Sequence, residues 1–401
     1  ISDVMTASYI INENHTMDVV SLASDPDGLF DPVKGIYTEK NYNGRGMNYE
    51  RAAHIEFFGE DEPGFSLGCG VRIFGGASRM YEKKSLSIKF RDCYGASHLD
   101  YKVFDSRDFT YYNSLLLRSS GQERLRTMFK DAMTTSLVDD LGLMEVQAYR
   151  PVVVYINGQY NGIYDLREKI DEDYTANHHG TDSENLDMIK GTYTVMSGNT
   201  VEYKELLNFV KTHDLTVQEN YEYICSVVDV PEMMNWWIVE SFFNNTDTGN
   251  IKFYKERGEG NKWRWVLFDL DWAMSPSTYQ WNMVEEIVNP SGHGVGRNFD
   301  TSLMVGLMKN RTFRETFIST YGKYLRTTFA TDRLLALYDQ MVAELDEEMP
   351  YHMERWAKAG STTAPRGYEA WKGSCATLRN ILSKKNELTR QAGIDTFHKS
   401  K

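Results

Sequence analysis

The chain has no long apolar run and few cysteines, and each shortage excludes a class of protein. No stretch of about 18 or more apolar residues occurs in the 401-residue sequence, so no membrane-spanning helix is predicted. The four cysteines show no CxxC spacing and do not cluster with histidines, which argues against a structural zinc site. Cys69 and Cys93 flank two adjacent strand-like runs, so a disulfide formed in an oxidising compartment and free buried thiols are both open.

Basic residues are also in short supply. With 44 lysines and arginines against 57 acidic residues, the net charge is −13, which argues against a general nucleic-acid or anionic-membrane partner. One basic patch stands out, opposed locally only by Glu82, and its members are Arg72, Arg79, Lys83, Lys84, Lys89 and Arg91. The patch is either an anion site or a strand face with its lysines turned to solvent. The sequence begins at Ile1 rather than methionine, so we expect a trimmed or processed protein whose targeting signal lies outside it.

The first part of the chain has the pattern of a β-rich region. Short strands separated by turn residues are predicted at 17–23, 52–58, 70–74, 85–91 and 114–117. Apolar residues at helical spacing predict one amphipathic helix over 123–141, ending at Gly142. Arg150–Ile156 is a β-branched run, and the Asn157-Gly158 pair after it predicts a hairpin that returns through 159–166.

The second half is mainly helical, and the fold class is α+β. Helices are predicted over 201–213 and 217–228, and Pro231 opens the run PEMMNWWIVESFFNN, whose bulky residues on all faces indicate a buried helix. A second hairpin joins 249–255 to 262–270, and helical periodicity dominates from about residue 301 through Ala392. The domain boundaries we predict are an N-terminal segment at 1–45, a β-rich region at 46–170 and a helical region at 171–401.

Four polar residues flank the second hairpin. Asp247 and Asn250 follow the buried helix, and Asp269 and Asp271 end the last strand-like run. Two carboxylates, an amide oxygen and a lysine are the groups that phosphoryl transfer uses to accept a proton, hold magnesium and neutralise phosphates. An Asp-rich loop is more commonly only a helix cap and a turn, so both interpretations stay open.

Lys84 shares a strand face with Leu86, Ile88 and Phe90. A lysine on a buried face needs a partner, because an unpaired buried ammonium group is costly. We expect that partner to be either a carboxylate, such as Glu168, or a bound anion. Glu168 lies near the start of REKIDEDY, a segment with a helical pattern.

Three motifs taken together resemble the spore-coat CotH-type family of atypical protein kinases: VRIFGGASRMYEKKSLSIKF, YINGQYNGIYDLREKID, and NTDTGNIKFY followed by WRWVLFDLDWAM. The resemblance begins near GLFDPVKGIY and extends to about residue 325. It implies an atypical protein-kinase-like fold, with a β-rich nucleotide-binding N-terminal lobe and a mainly helical C-terminal lobe that carries the catalytic and metal-binding acids. Many family members have tryptophan before the first Asp of W-D-x-D, whereas this chain has Phe268, a change that affects packing more than chemistry.

The resemblance also implies roles for individual residues. Asp247 is the catalytic-loop acid, Asp269 holds magnesium, and Asn250 and Asp271 support it. Asp271 is an alternative to Asp269 as the primary metal ligand.

On the nucleotide side, the resemblance makes Lys84 the phosphate-contacting lysine and Glu168 its orienting partner. Lys89 is the alternative to Lys84. Further nucleotide contacts are implied for three residues: Arg79 at the phosphates, and Tyr164 and Trp263 on either side of adenine. Packing in the protein core is the other interpretation of both rings.

These features predict a Mg-ATP-dependent protein kinase that phosphorylates Ser or Thr hydroxyls of a protein, with ATP and Mg²⁺ as cofactors. Two other interpretations stay open: a catalytically silent surface, adhesion or assembly protein on the same fold, and an AMP transferase that uses the same acids. The resemblance implies a bacterial protein that is exported, cell-surface or spore-associated. The sequence does not indicate the oligomeric state.

Overall fold

The computed structural model describes residues 6–59, 64–247, 249–291, 299–358 and 361–398. Its strands are β1 Asp18–Ser24, β2 Arg51–Phe58, β3 Ser66–Phe74, β4 Ser85–Lys89, β5 Leu99–Asp100, β6 Tyr111–Tyr112, β7 Ser114–Arg118, β8 Glu145–Val146, β9 Tyr149–Ile156, β10 Gln159–Glu168, β11 Leu186–Lys190, β12 Thr194–Ser197, β13 Lys252–Glu256 and β14 Arg264–Leu267. Its helices are α1 Pro26–Phe30, α2 Lys130–Asp139, α3 Glu172–His179, α4 Val201–Thr212, α5 Gln218–Val227, α6 Val230–Phe242, α7 Met283–Val288, α8 Ser302–Lys309, α9 Arg311–Arg326, α10 Thr331–Asp346, α11 Met349–Trp356 and α12 Tyr368–His398. The α+β class is confirmed. Within the described ranges, no helix combines the length and the apolar character needed to cross a membrane.

The chain forms two compact units, each assembled from three stretches of sequence. The first unit contains Ile1–Ala132, Ala148–Asn177 and Gln340–Cys375. The second unit contains Met133–Gln147, His178–Asp339 and Ala376–Lys401. The division into consecutive domains at 1–45, 46–170 and 171–401 stays a prediction.

The first unit contains a closed barrel with the strand order β1-β2-β3-β4-β7-β10-β9. Neighbouring strands are antiparallel except β1 and β9, which run parallel, with Asp18 opposite Val152, and close the barrel. Alternate side chains point inward, so the apolar residues of each strand fill the interior. Closure removes the exposed edges that an open sheet would have.

The hairpin predicted at Asn157-Gly158 is confirmed. Both residues have positive φ, +50° and +74°, as a two-residue turn of type I′ requires. The strands on either side, β9 and β10, pair antiparallel with Ile156 opposite Gln159. The local turn chemistry therefore determines the register of two barrel strands.

The helix predicted over 123–141 is wrong in its first part, because α2 begins only at Lys130. Residues 121–125 form a short 3₁₀ helix, and Met128 adopts a left-handed φ of +72°. The buried carboxylate of Glu123 accepts a hydrogen bond from Thr127 Oγ1 at 2.7 Å and pairs with Lys130 Nζ at 2.8 Å. These contacts hold the chain in a tight turn before α2 begins. The apolar residues of 123–141 are spaced as in one continuous helix, but they belong to a turn followed by a shorter helix.

The cysteines carry no disulfide. All four lie in the described part of the chain, and each is a free thiol. Cys69 is buried but Cys93 is exposed. The structure therefore shows Cys69 and Cys93 as free thiols rather than a disulfide, and of the two only Cys69 is buried.

The second unit is built on a sheet with the order β12-β11-β13-β14-β8. Helix α6 packs against this sheet and is buried on almost every face, as predicted from its composition. The side chain of Asp229 caps its N-terminus by accepting from the Glu232 N–H at 3.3 Å. At its other end, the Phe242 ring stacks on Phe329 at 3.9 Å between centroids. The helix therefore gives the loop that follows Phe242 a rigid starting point.

Candidate active site

The predicted acidic residues meet at one end of the second unit's sheet. Strands β13 and β14 are antiparallel, with Lys252 opposite Val266. The segment that enters β13 and the segment that leaves β14 therefore lie at the same end of the sheet. The first segment carries Asp247 and Asn250, and the second carries Asp269 and Asp271.

Both carboxylate oxygens of Asp247 are oriented by its own loop. Oδ1 accepts the Gly249 N–H at 3.0 Å, and Oδ2 accepts the Asn250 side-chain amide at 2.6 Å. Burial raises the pKa of Asp247, the charge of Asp269 raises it further, and the two hydrogen bonds and the charge of Lys190 oppose this rise. Asp247 is thus a carboxylate of raised basicity held in one orientation.

The two acids after β14 differ in their surroundings. Asp269 is half-buried and has a left-handed φ of +61°, a conformation that Asp and Asn tolerate better than most residues. Asp271 is only 4% exposed. Because Asp269 is the more accessible acid and lies within electrostatic reach of Asp247, it is the better placed of the two to contact a ligand.

A buried lysine positions the start of this loop. Asn244 has a positive φ of +49°, and its side-chain amide donates to the carbonyls of Thr278 and Trp281 at 2.7 and 3.0 Å. Lys385 Nζ donates to Asn244 Oδ1 at 2.8 Å, and burial lowers the pKa of Lys385 to about 7. The sequence interpretation missed both residues, because Lys385 lies 141 positions after Asn244 and looks like any other helix lysine.

The donor set at this sheet end fits Mg²⁺. The described residues contain no group of three or more His, Cys, Asp or Glu side chains placed to hold a metal ion by themselves. Mg²⁺ is ordinarily held by one or two carboxylates together with waters and substrate phosphates, so such a group is not required. Asp269 contributes a carboxylate and Asn250 an amide oxygen, which are the hard oxygen ligands that Mg²⁺ prefers.

The basic residues near the start of β4 are engaged with the backbone of the first unit. Lys84 Nζ donates to the carbonyls of Arg79 and Tyr81 at 2.7 and 2.9 Å and lies 4.5 Å from the Tyr42 ring centre. Arg79 is 3% exposed and donates to the carbonyls of Gly75 and Tyr42 at 2.6 and 2.7 Å. Two backbone carbonyls of the preceding turn therefore accept hydrogen bonds from Lys84.

The predicted ion pair between Lys84 and Glu168 is wrong. Glu168 accepts from Arg107 Nε and Nη2 at 3.0 and 2.8 Å, and from the Ala148 N–H at 2.9 Å. Its predicted place near a helix start is also wrong, because Glu168 ends β10 and α3 begins at Glu172. All three bonds reach the same oxygen, Oε2, and two of them come from the fixed fork of one guanidinium group.

Lys89 lies beside a cleft of the first unit. Its Nζ is 3.3 Å from Asp171 Oδ2, and Lys169 also pairs with this carboxylate. Burial lowers the pKa of Lys89 to about 8, and the charge of Asp171 opposes that shift. Asp171, Glu168 and Asp173 are among the residues that line the cleft, which has about 230 Å³ of empty volume, part of it open to solvent.

The two predicted adenine-bracketing rings are core residues of their units. Tyr164 is 0% exposed inside the barrel, where its hydroxyl donates to the Lys84 carbonyl at 3.1 Å. Trp263 is 1% exposed and packs edge-on against Tyr203 at 5.2 Å between centroids. Packing explains these contacts, so a role at adenine stays a prediction for both rings.

The sequence matches a protein-family model over most of its length. A family model described as CotH kinase protein matches residues 71–388, which is most of the chain. A search of curated proteins finds no match. The matched range includes the residues of the candidate site, which are Asp247, Asn250, Asp269 and Asp271, together with Lys190 and Lys385.

Proposed function

The chain belongs to the CotH kinase family, and from this membership we propose that it is a protein kinase that uses Mg-ATP to phosphorylate Ser or Thr hydroxyls of a protein. The observation that carries the proposal is the grouping of Asp247, Asn250 and Asp269 at one end of the sheet. This grouping combines a proton acceptor with oxygen ligands for a metal. A bacterial spore-associated or exported location is part of the same proposal, because the family relates to the spore coat.

Asp247 is proposed to accept the proton of the acceptor hydroxyl. Its raised pKa makes it a stronger base than an ordinary surface aspartate, and its two hydrogen bonds keep the carboxylate from rotating. Asp269 and Asn250 would hold Mg²⁺, which neutralises phosphate charge when bound. Asn250 uses its amide nitrogen for Asp247, so the amide oxygen is the atom that would contact the metal. The buried Asp271 would support the loop from inside.

Lys89 is the better candidate for the phosphate-contacting lysine. Lys84 already donates to two backbone carbonyls, whereas Lys89 is held by the carboxylate of Asp171 beside a cleft. A lysine oriented by an acid is the arrangement that kinases use for nucleotide phosphates. We therefore propose Lys89 with Asp171, in place of Lys84 with Glu168.

Lys89→Met is expected to raise the KM for ATP and to lower kcat/KM about 10- to 100-fold, because a charged hydrogen-bond donor is worth about 1.5–3 kcal/mol. The matched variant Lys84→Met should instead lower the free energy of unfolding by about 1–3 kcal/mol, since two buried carbonyls lose their donor. Its KM for ATP should stay close to that of the wild type. Initial-rate kinetics and urea denaturation distinguish the two variants, and the reverse pattern would assign the phosphate contact to Lys84.

Transfer of label from ATP tests the proposed function. The chain is incubated with Mg²⁺, a library of Ser- and Thr-containing peptides, and ATP labelled at either the α- or the γ-phosphate. We expect transfer of label from the γ-position only, and an increase in the mass of the acceptor peptide by one phosphate group. The Asp269→Asn variant should transfer no detectable label. Label from the α-position would identify an AMP transferase instead. Absence of both labels from the protein and the peptides would favour the catalytically silent alternative.

A further inference from the structure

A buried lysine of helix α12 contacts both of the segments that carry the acids of the candidate site. Lys385 Nζ donates to Asn244 Oδ1 at 2.8 Å and to the Tyr279 carbonyl at 3.3 Å. Asn244 lies in the segment that leads to Asp247, and Tyr279 lies in the segment that follows Asp269. We propose that Lys385 is a positioning residue for phosphoryl transfer that holds Asp247 in place relative to Asp269. This role rests on the proposed kinase function and adds a residue to its site.

Hydrogen bonds around Asn244 join the two segments. The Asn244 side-chain nitrogen donates to two carbonyls of the segment after Asp269, and the Met274 N–H of that segment donates to the Phe243 carbonyl at 2.8 Å. An ammonium group only donates hydrogen bonds, so Lys385 requires the carboxamide oxygen of Asn244 to face it. The carboxamide nitrogen then faces the two carbonyls. Lys385 therefore selects the orientation of Asn244 in which the segments are joined.

The conformation of Asn244 affects the position of Asp247, three residues later. Asn244 has a φ of +49°, a conformation that is uncommon outside glycine and is stabilised here by the hydrogen bonds of its side chain. The next residue, Asn245, donates from its N–H to the Glu240 carbonyl of α6 at 3.2 Å. Its side-chain oxygen accepts the Asp247 N–H at 3.1 Å. The direction in which the chain leaves α6 therefore determines where Asp247 lies.

The surroundings of Lys385 are costly for a charged group. Lys385 is 2% exposed, and its contacts among the described residues are two oxygen atoms without formal charge and the ring of Phe242, whose centre lies 5.7 Å from Nζ. Burial lowers the pKa of Lys385 to about 7, the direction expected when no carboxylate offsets desolvation. An apolar side chain of similar length would avoid this cost. Alignment of the two acid-bearing segments therefore explains the lysine better than stability does.

Helix α12 holds the backbone of Lys385 in place through a separate set of contacts. The side chain of the next residue, Asn386, donates to the carbonyls of Leu325 and Phe329, both at 2.7 Å. Phe329 in turn stacks on the Phe242 ring of α6. Because these contacts do not involve the Lys385 ammonium group, we expect a substitution of Lys385 to remove its hydrogen bonds without moving the helix.

Lys385→Met is expected to lower kcat about 10- to 100-fold with a KM for ATP close to that of the wild type, because misplacement of a reacting group by about 1 Å can cost up to about 100-fold. Methionine keeps most of the length and the apolar contacts of lysine but cannot donate a hydrogen bond. Lys384→Met is the matched control: Lys384 is the preceding residue of α12 and is exposed, so this variant should match the wild type in both parameters. A wild-type kcat in Lys385→Met would overturn the proposal.

Asn244→Gly tests the same contact from its other side. Glycine adopts the positive φ of Asn244 without strain but offers no carboxamide to Lys385. We expect a loss of kcat here too, and a double variant with Lys385→Met that loses no more than the more impaired single variant, since both substitutions remove one shared contact. Additive losses would mean that Lys385 does not act through Asn244 and would overturn the proposal. Should Lys385→Met fail to fold, a wild-type kcat in Asn244→Gly alone would overturn it.

Melting temperatures distinguish positioning from a purely structural role. The pKa of Lys385 in the folded protein, about 7, lies below its ordinary value of 10.5, so between these values the unfolded state binds more protons and the wild type gains stability as the pH rises. Lys385→Met should therefore melt at an equal or higher temperature than the wild type at about pH 6, and this difference should shrink by about pH 9. A variant that melts lower at both pH values and keeps its kcat would assign Lys385 to the fold alone.

Hydrogen exchange separates this proposal from the kinase proposal. Backbone amides of 243–247 should exchange faster in Lys385→Met than in the wild type, and at the wild-type rate in Lys384→Met, whether or not the protein transfers phosphate. If the wild type transfers no phosphate but exchange rises only in Lys385→Met, the kinase proposal fails and the role of Lys385 in the loop stands. If the wild type transfers phosphate and Lys385→Met equals it in kcat and in exchange, only the role of Lys385 is refuted.

Discussion

Asp269→Asn is expected to lower the rate of phosphoryl transfer about 10³-fold or more while leaving the fold intact. The substitution removes the negative charge that would hold Mg²⁺, and a metal that neutralises phosphate charge is worth several kcal/mol in the transition state. Asparagine is preferable to alanine here, because Asp269 has a φ of +61° and asparagine tolerates that conformation. Alanine would add about 1–2 kcal/mol of backbone strain and confuse a catalytic effect with a structural one.

Asp271→Asn is the matched variant for this experiment. Both substitutions remove one charge from the same segment, but Asp271 is buried and Asp269 is half-buried. We expect Asp271→Asn to keep more activity than Asp269→Asn and to change the thermal midpoint more. The rate of label transfer and the Mg²⁺ concentration that gives half-maximal rate check the first expectation, and thermal denaturation of both variants checks the second. A larger loss of activity in Asp271→Asn would reverse the assignment of the metal ligand.

The elements predicted correctly are those with a local cause. The Asn157-Gly158 turn supplies the positive φ values that a tight hairpin needs, so it specifies the pairing of β9 with β10. Helix α6 has a capping aspartate, an early proline and bulky apolar residues on all sides, so its burial follows from composition. Neither prediction depends on residues far away in the sequence.

Barrel closure could not be predicted in the same way. It depends on parallel pairing of β1 with β9, two strands separated by more than half of the first unit's sequence. Alternating apolar residues indicate that a strand has a buried face, but they do not identify its neighbour. The late start of α2 could not be predicted either. The residues before Lys130 have the apolar spacing of a helix, but the contacts of the buried Glu123 hold them in a turn.

The candidate site was predictable where two hairpin ends deliver the acids. Asp247 and Asp269 flank strands that are adjacent in sequence, so the hairpin alone brings them to one end of the sheet. Lys190 reaches the same place only through the pairing of β11 with β13, and that pairing has no sequence signal. The prediction of a Glu168 partner for Lys84 was wrong for a different reason. The burial of Lys84 was inferred correctly, but its hydrogen-bond partners are backbone carbonyls, and because every segment has carbonyls the sequence does not single them out.

Asp247→Asn is expected to lower kcat about 10²- to 10⁴-fold with little change in the KM for ATP, because it removes only the proton acceptor. The amide keeps the size of the carboxylate, and its oxygen can still accept the Gly249 N–H. Steady-state kinetics across a range of ATP concentrations separate the two parameters. A kcat close to that of the wild type would exclude Asp247 as the base.

Although Asp247→Asn is expected to lower kcat, it should leave the stability of the folded protein unchanged or raise it. The pKa of Asp247 is raised in the folded protein above its ordinary value of 3.8, so the folded state binds this proton more tightly than the unfolded state does. The wild type therefore loses stability as the pH rises from that ordinary value through the folded pKa. Asparagine carries no charge to bury, so metal-free Asp247→Asn should melt at an equal or higher temperature than the wild type at pH 7. A lower melting temperature at pH 7 would mean that Asp247 serves the structure of its loop, whereas a gain in stability with a loss of turnover is expected of a carboxylate retained for chemistry.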